Sequence, residues 1–389
     1  MKKVISLILA ALFCVSCFAL TACNGDKDGD VIKIGVFEPA SGSNGAGGKQ
    51  ETLGIQYANS VCPTIELNGK TYKVELEIVD NQSDDSKGVT AAADLVNKGV
   101  SVVLGSYGSS VSIAASPTFE DAGLAAIGVT CTNEQVTAGN SHYFRVCFLD
   151  PFQGKALANL AWDMGVKKAF TLAETGNAYD LGLAQSFKTA FEALGGTVVA
   201  NNFPSGTADF SSYVATAKSE GAGVLFAPTS LTYAQLIVQT AAAQGVEFPL
   251  MAGDTWDSNV ILEAAKGTSL NINVTTFYQE GANKEFDEGF KAWINGSDVN
   301  KTNNGGNDII SAVSAMGYDA YFVALEAIKK AGSADRAAIK AALPGIEYTG
   351  VTGLIKFNAT GDADRTVAYV KKVNTTTGLW DFVKEQGVN

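Results

Sequence analysis

The strongest constraint on this chain is a rhythm: short, continuous apolar runs separated by stretches with helical spacing. From Val31 the order is "IKIGVF", a helix from about Gln50 to Ser60, "YKVELEIVD", a helix over "SKGVTAAADLVNKG", then "VSVVLG". Strands that alternate with amphipathic helices need crossover connections, and these build parallel sheets with helices packed on their faces. The same grammar restarts after Pro151 with "KKAFTLAE", a helix over "LGLAQSFKTAFEALGG", "TVVANNF", a helix over "FSSYVATAKSEG", "VLFAP" and a helix over "YAQLIVQTAAAQG". In both "LVNKGVSVVLG" and "AKSEGAGVLFAP" a helix closes on charged residues and a glycine before an apolar strand begins, as a left-handed C-terminal cap requires. A chain of 389 residues exceeds one typical domain, and 46% hydrophobic residues can fill two cores. Two similar α/β lobes in series are expected.

The C-terminal third breaks the rhythm. It predicts a long helix over "AVSAMGYDAYFVALEAIKKAG", a second over "ADRAAIKAAL", and strands at "VTGLIKFN", "RTVAYVKKVN" and "LWDFVK", the last two joined through "TTTG" as a hairpin.

In open α/β sheets, ligands bind beyond the carboxyl ends of the strands, so the residues just after each apolar run matter most. After "VSVVLG" stand Ser106, Tyr107, Gly108, Ser109 and Ser110; after "LAAIG" stand Val129, Thr130, Cys131, Thr132 and Asn133. Hydroxyls and free amides at such places either hold a carboxylate or cap the next helix. Asp254, beside Trp256 in "PLMAGDTWD", could likewise cap a helix or face a ligand ammonium. Tyr179, in "AETGNAYDLG", either closes over a ligand or packs.

Residues 1–22 carry Lys2 and Lys3 and then an apolar run from Val4 to Leu20, the pattern of a secretory signal. Its end, Leu20-Thr21-Ala22-Cys23, resembles the bacterial lipobox, which makes Cys23 a candidate for lipidation and the first mature residue; an ordinary signal peptide is the alternative. Residues 23–30 are polar and glycine-containing, as in a tether. Losing the two positive charges of Lys2 and Lys3 takes the net charge from −12 to −14, which disfavours nucleic acid and anionic lipid surfaces as partners.

Several chemistries lack their residues. "SGSNGAGGKQE", from Ser41 to Glu51, imitates a phosphate cradle, but Ser43 replaces the first glycine of a P-loop and Gln50 its Ser/Thr. Nor do Gly42, Gly45, Gly47 and Gly48 fit a dinucleotide fingerprint. The single histidine, His142, lies in a loop with no nucleophile elbow. No metal motif occurs, so neither a catalytic residue, a metal nor a cofactor is expected. Pairs such as Asp84-Asp85 and Asp362/Asp364 fall in loops or helix starts. Cys62, Cys131 and Cys147 allow at most one bridge and read better as buried small hydrophobes.

"IKIGVFEPASG", "VSVVLGSYGSS", "VTCTNEQVT", "YFRVCFLDPFQG" and "GDTWD" follow the order and spacing of the Leu/Ile/Val-binding protein family, the type I periplasmic substrate-binding proteins of ABC importers, which the chain resembles from about Val31 to Phe382. The resemblance implies two doubly wound lobes, 31–152 with 278–362 and 153–277 with 363–387, joined by three strands and closing on a small molecule. Ser109 and Thr132, with the backbone around Gly108 and Thr130, match the groups that receive an α-carboxylate; Asp254 matches the acid for the α-ammonium and Tyr179 an aromatic of the second lobe. The loop starting at Ser41 resembles the first ligand loop, and Ser41, Thr229 and Trp256 are further candidate ligand-binding residues. Gly47 stands where some members have an aromatic, Thr229 where some have tyrosine, and Ser83 and Gly108 where some have a disulfide. The expected function is capture of an amino acid, branched-chain or otherwise apolar, by a monomeric, lipid-anchored, extracytoplasmic protein that delivers it to an ABC permease. An amide, urea or aromatic-acid solute, or a sensing role through a partner, are the alternatives.

Overall fold

A computed structural model describes residues 31–387; the expected signal, Cys23 and the tether lie outside the described residues. The first sheet contains β1 (Val31–Glu38), β2 (Thr64–Leu67), β3 (Lys70–Asp80), β4 (Val102–Leu104), β5 (Ala126–Gly128) and β6 (Tyr143–Arg145) in the order β2-β3-β1-β4-β5-β6. Only the β2–β3 edge is antiparallel. The second sheet contains β7 (Lys168–Glu174), β8 (Thr197–Phe203), β9 (Val224–Phe226), β10 (Leu250–Ala252) and β11 (Ile272–Thr276). A short antiparallel pair, β12 (Glu347–Gly350) and β13 (Gly353–Lys356), stands apart, and the hairpin of β14 (Ala368–Asn374) and β15 (Leu379–Gln386) extends the second sheet antiparallel to β11. The second order is β15-β14-β11-β10-β9-β7-β8.

This topology locates the site before any side chain is considered. In the first sheet the order reverses between β1 and β4; in the second it reverses between β7 and β9. At such a switch point neighbouring connections leave on opposite faces and open a crevice at the carboxyl ends. The two crevices face each other, so the loops after β1, β4, β7 and β9 line one interlobe cavity.

The expected elements form, with one informative shift. The first helix runs from Gly45 to Val61 and starts five residues before Gln50, so most of the glycine-rich stretch is helical. Glycine is a poor helix former, but tertiary packing decides here. This helix lies on the long helix Ala312–Ala331, and a Cβ on Gly54 would strike the Ser314 backbone while one on Gly317 would strike that of Glu51. Side-chain caps mark other helix starts: Asp84 accepts from Ser86 and Lys87 N–H, and Asn177 from Tyr179 and Asp180 N–H. The apolar faces of both sheets are buried, Ile34, Val36 and Leu104 in one lobe and Leu172, Leu225 and Ile272 in the other.

After β6, after β11 and before β14 the chain passes between the two bodies. A buried ion pair fastens two of these passages. Arg145 Nε donates to Asp362 Oδ1 at 2.6 Å, while its other nitrogens donate to the carbonyls of Cys131 and Asn133 and to Thr137 Oγ1. Cys131 and Cys147 are buried free thiols and Cys62 is a partly buried one, as expected of small hydrophobes. No helix among the described residues is long and apolar enough to cross a membrane.

Removing one partner of a buried pair strands the other charge, so Asp362→Ala is expected to cost about 3–5 kcal/mol in urea unfolding. The double replacement Arg145→Met with Asp362→Leu recovers part of that loss, because no lone charge remains.

Candidate functional site

The interlobe cavity has a volume of about 500 Å³, within the range of small-molecule sites. Gly108 is the N-cap of the helix Ser109–Asp121, which therefore points its free amides at the cavity. Ser109 is buried on the cavity wall, and its Oγ accepts Asn133 N–H at 3.2 Å. Gly108 and Ser109 thus form an anion-accepting lip without a cation.

Thr130 and Thr132 lie on the neighbouring loop after β5, but neither lines the open cavity. Thr130 Oγ1 donates to Glu51 Oε2, so its side chain is committed to the protein. The Thr132 hydroxyl is fully buried beside the Asp150 carboxyl, which it helps to stabilise.

Asp254 lies just past β10 and is 1% exposed. Its Oδ1 accepts from Gln153 Nε2 at 2.9 Å and from Tyr179 OH at 3.3 Å, both neutral donors. Burial, the largest influence, pushes its pKa up to about 7, and hydrogen bonds from Gln153 and Tyr179 act the other way. Tyr179 lines the cavity and also touches Thr255 Oγ1 at 3.1 Å. It forms the wall between Asp254 and the open space.

The remaining expected residues lie elsewhere. Ser41 is exposed and donates to Asp80 Oδ2 at 2.7 Å; it borders a separate surface pocket with Gly45 and Lys49. Trp256 and Thr229 are fully buried in the second lobe, where Trp256 Nε1 donates to Thr229 Oγ1 at 3.3 Å. The absence of an aromatic at Gly47 has a direct use: a Cβ there would come within 2.6 Å of the Tyr107 ring. Tyr107 occupies that space instead, and its OH donates across the cleft to Thr255 O at 3.3 Å. His142 is partly buried near Glu120, outside the cavity.

Sequence reading missed three buried acids beside the site. Asp150, the first residue of the helix running to Asp163, is 2% exposed; burial pushes its carboxyl up to about 7, and adjacent Thr132 and Asn133 oppose that shift. Glu51 is also pushed up to about 7 by burial, and Glu38 is held well above the usual carboxylate range by burial and then by Glu51. Glu38 Oε2 accepts Tyr107 N–H at 2.7 Å and Glu51 accepts from Thr130, so this pair supports both ligand-side loops from behind. "LDPFQG", "FEPASG" and "GGKQE" contain these acids, but nothing local to those strings signals their convergence.

The lobes touch across the cleft mouth. Asn44 Nδ2 donates to Ser230 Oγ at 3.3 Å and its Oδ1 accepts Leu231 N–H at 3.2 Å. On the other side Ala178 N–H donates to Ser110 Oγ at 2.8 Å, and Asn133 Nδ2 donates to Ala178 O at 2.7 Å. The arrangement is a closed bilobed clamp.

Comparison with known proteins agrees. The family model described as periplasmic binding protein matches residues 31–377. The Leu/Ile/Val-binding protein homolog 1 of Brucella melitensis is 29% identical over 266 residues, covering 68% of this chain and 71% of that protein. A leucine-binding protein, LivK, of Thermotoga maritima superposes with a TM-score of 0.81 at 30% identity, covering 92% of this chain and 99% of the other. The branched-chain amino acid transporter substrate-binding protein LivJ of Streptococcus pneumoniae, in complex with isoleucine, gives 0.78 at 25% identity, with 92% and 99% covered. With two parallel-sheet lobes and a cleft at their facing switch points, the molecule is a type I binding protein. The chain belongs to the periplasmic binding protein family, extracytoplasmic solute-binding proteins of ABC transporters.

Asp254, held near pH 7 without a cation, generates a pH dependence whose sign is fixed. A carboxyl raised from 3.8 in the unfolded chain to about 7 holds its proton in the folded state only, so its contribution to unliganded stability falls from about pH 4 to about pH 7 and is flat above. An ammonium ligand needs the ionised form, so its affinity weakens toward tenfold per pH unit below about 7. Calorimetry of amino-acid binding in two buffers of different ionisation enthalpy, at pH 6 and pH 8, should show proton release at pH 6 only, and Asp254→Asn should abolish it.

Proposed function

We propose that this protein captures an α-amino acid outside the cytoplasm and delivers it to an ABC permease. The observation that carries the reading is Asp254: a buried carboxyl with only neutral partners, one of which, Tyr179, lines the same cavity as the Gly108–Ser109 helix start. A zwitterion taken from water needs donors at one pole and an anion at the other, or its desolvation costs several kcal/mol per charge. In this reading Ser109, the backbone around Gly108 and Thr130, and the hydroxyl of Thr132 take the α-carboxylate. Asp254 takes the α-ammonium beside Tyr179, and Asp150 lends a second negative group. Thr229 and Trp256 shape the second lobe from behind. The proposed lobe limits are 31–152 with 278–362 and 153–277 with 363–387, supported by the three passages of the chain between the sheets.

Closure then works by differential affinity. A solute that touches Ser109 on one lobe and the Asp254–Tyr179 wall on the other stabilises the closed state, which the permease receives. Lipid on Cys23 would hold the monomer at the membrane. A branched-chain solute is supported by the named relatives, which makes leucine, isoleucine and valine the reference ligands of any test.

Asp254→Ala should cost about 2–5 kcal/mol of amino-acid binding, because it leaves a buried ammonium unpaired. Unchanged affinity by calorimetry would remove Asp254 from this role. A thermal-shift screen of the twenty amino acids should find its ligand readily, since a solute at 100 times its dissociation constant stabilises by about 2.7 kcal/mol.

A further inference from the structure

The cavity beyond the two zwitterion poles is not lined as an apolar side-chain pocket. Among the described residues its charged lining groups are Asp84, Asp85 and Glu174, and no lysine, arginine or histidine borders it. Three tyrosines, Tyr107, Tyr179 and Tyr233, supply its aromatic surface. The net charge of −12 adds a long-range field of the same sign, and a negatively lined cleft concentrates cations.

Glu174 is the decisive group. It ends β7 at the switch point of the second sheet and is 8% exposed. Oε1 accepts from Tyr233 OH at 3.1 Å and Oε2 from Asn177 Nδ2 at 3.2 Å. Both donors are neutral, and a carboxylate with about four acceptor positions has room for more. Behind it, fully buried Asp180 receives Glu174 N–H on Oδ2; burial and then the nearby Glu174 push this carboxyl well above its usual range, so the negative group that lines the cavity at this strand end is Glu174 itself. A leucine or valine side chain packed here would seal Glu174 from water without giving it a partner, at the cost of a buried unpaired charge. A side-chain cation removes that cost and gains the faces of the tyrosine rings as well.

We infer that the solute is an α-amino acid whose side chain bears an ammonium or guanidinium group, with Glu174 as the acceptor of that second positive charge. This rests on the amino-acid reading above and names the side-chain class that the same cavity takes.

The test is calorimetry of the purified full chain with L-lysine, L-arginine, L-glutamine and L-leucine, on the wild type, Glu174→Gln and Asp254→Asn. The expected result is that lysine or arginine binds at least tenfold tighter than leucine to the wild type, and that Glu174→Gln lowers that ratio at least tenfold. The wild-type ranking needs no variant and decides even if Glu174→Gln folds poorly. Leucine or glutamine binding tightest to the wild type, with Asp254→Asn still destroying affinity, overturns the cationic side chain and leaves the amino-acid reading standing. Failure of all four amino acids to bind the wild type overturns the cationic side chain, and failure of all twenty overturns the amino-acid reading with it. A ratio that Glu174→Gln leaves unchanged in a variant with wild-type melting temperature overturns the role of Glu174.

Discussion

The buried contact between Arg145 and Asp362 holds the site together. Arg145 ends the edge strand of the first sheet, and its guanidinium donates at once to Asp362 on a passage between lobes and to the carbonyls of Cys131 and Asn133. Those carbonyls belong to the loop that presents Thr130 and Thr132. A planar cation with five fixed donors can set several acceptors in one geometry, which a lysine cannot. The loop after β5 and the passage before β14 therefore share one anchor, and a shift in one is felt by the other.

Around that anchor the protein has gathered more buried acid than it neutralises internally. Asp257 is paired with Lys371 at 2.9 Å, as buried charges usually are. Asp254, Asp150, Glu38 and Glu51 are instead pushed upward by burial, and Asp254 has only neutral partners. Such an arrangement is unfavourable in the empty protein. In the proposed reading it becomes favourable when a cationic group enters, and this difference is the differential affinity that a closing clamp needs.

The alternation of strands and helices, the duplicated α/β grammar and the C-terminal hairpin were legible because period and turn chemistry are local. Ser109, Gly108 and Tyr179 were legible for the same reason: they follow strands, and strand ends are where such sheets bind ligands. The start of the first helix was not, because glycines at 45, 47 and 48 are poor local helix formers and only their close approach to Pro39, Tyr107 and neighbouring backbone shows why they are there. Ser41, Thr229 and Trp256 share the neighbourhood of ligand loops in sequence, yet their side chains bond to Asp80 or to each other.

The sequence by itself determined the architecture, two parallel-sheet lobes, and the candidate strand-end residues, because hydrophobic period and capping chemistry act over a few residues. Tertiary structure alone decided which side chains meet. Glu38, Glu51, Asp150 and Asp254 come from four distant segments, and Glu174 acquires its meaning from Tyr233 across a crossover. Their shared property, burial away from water, depends on what surrounds them in three dimensions, and desolvation leaves no trace in the order of residues along a chain.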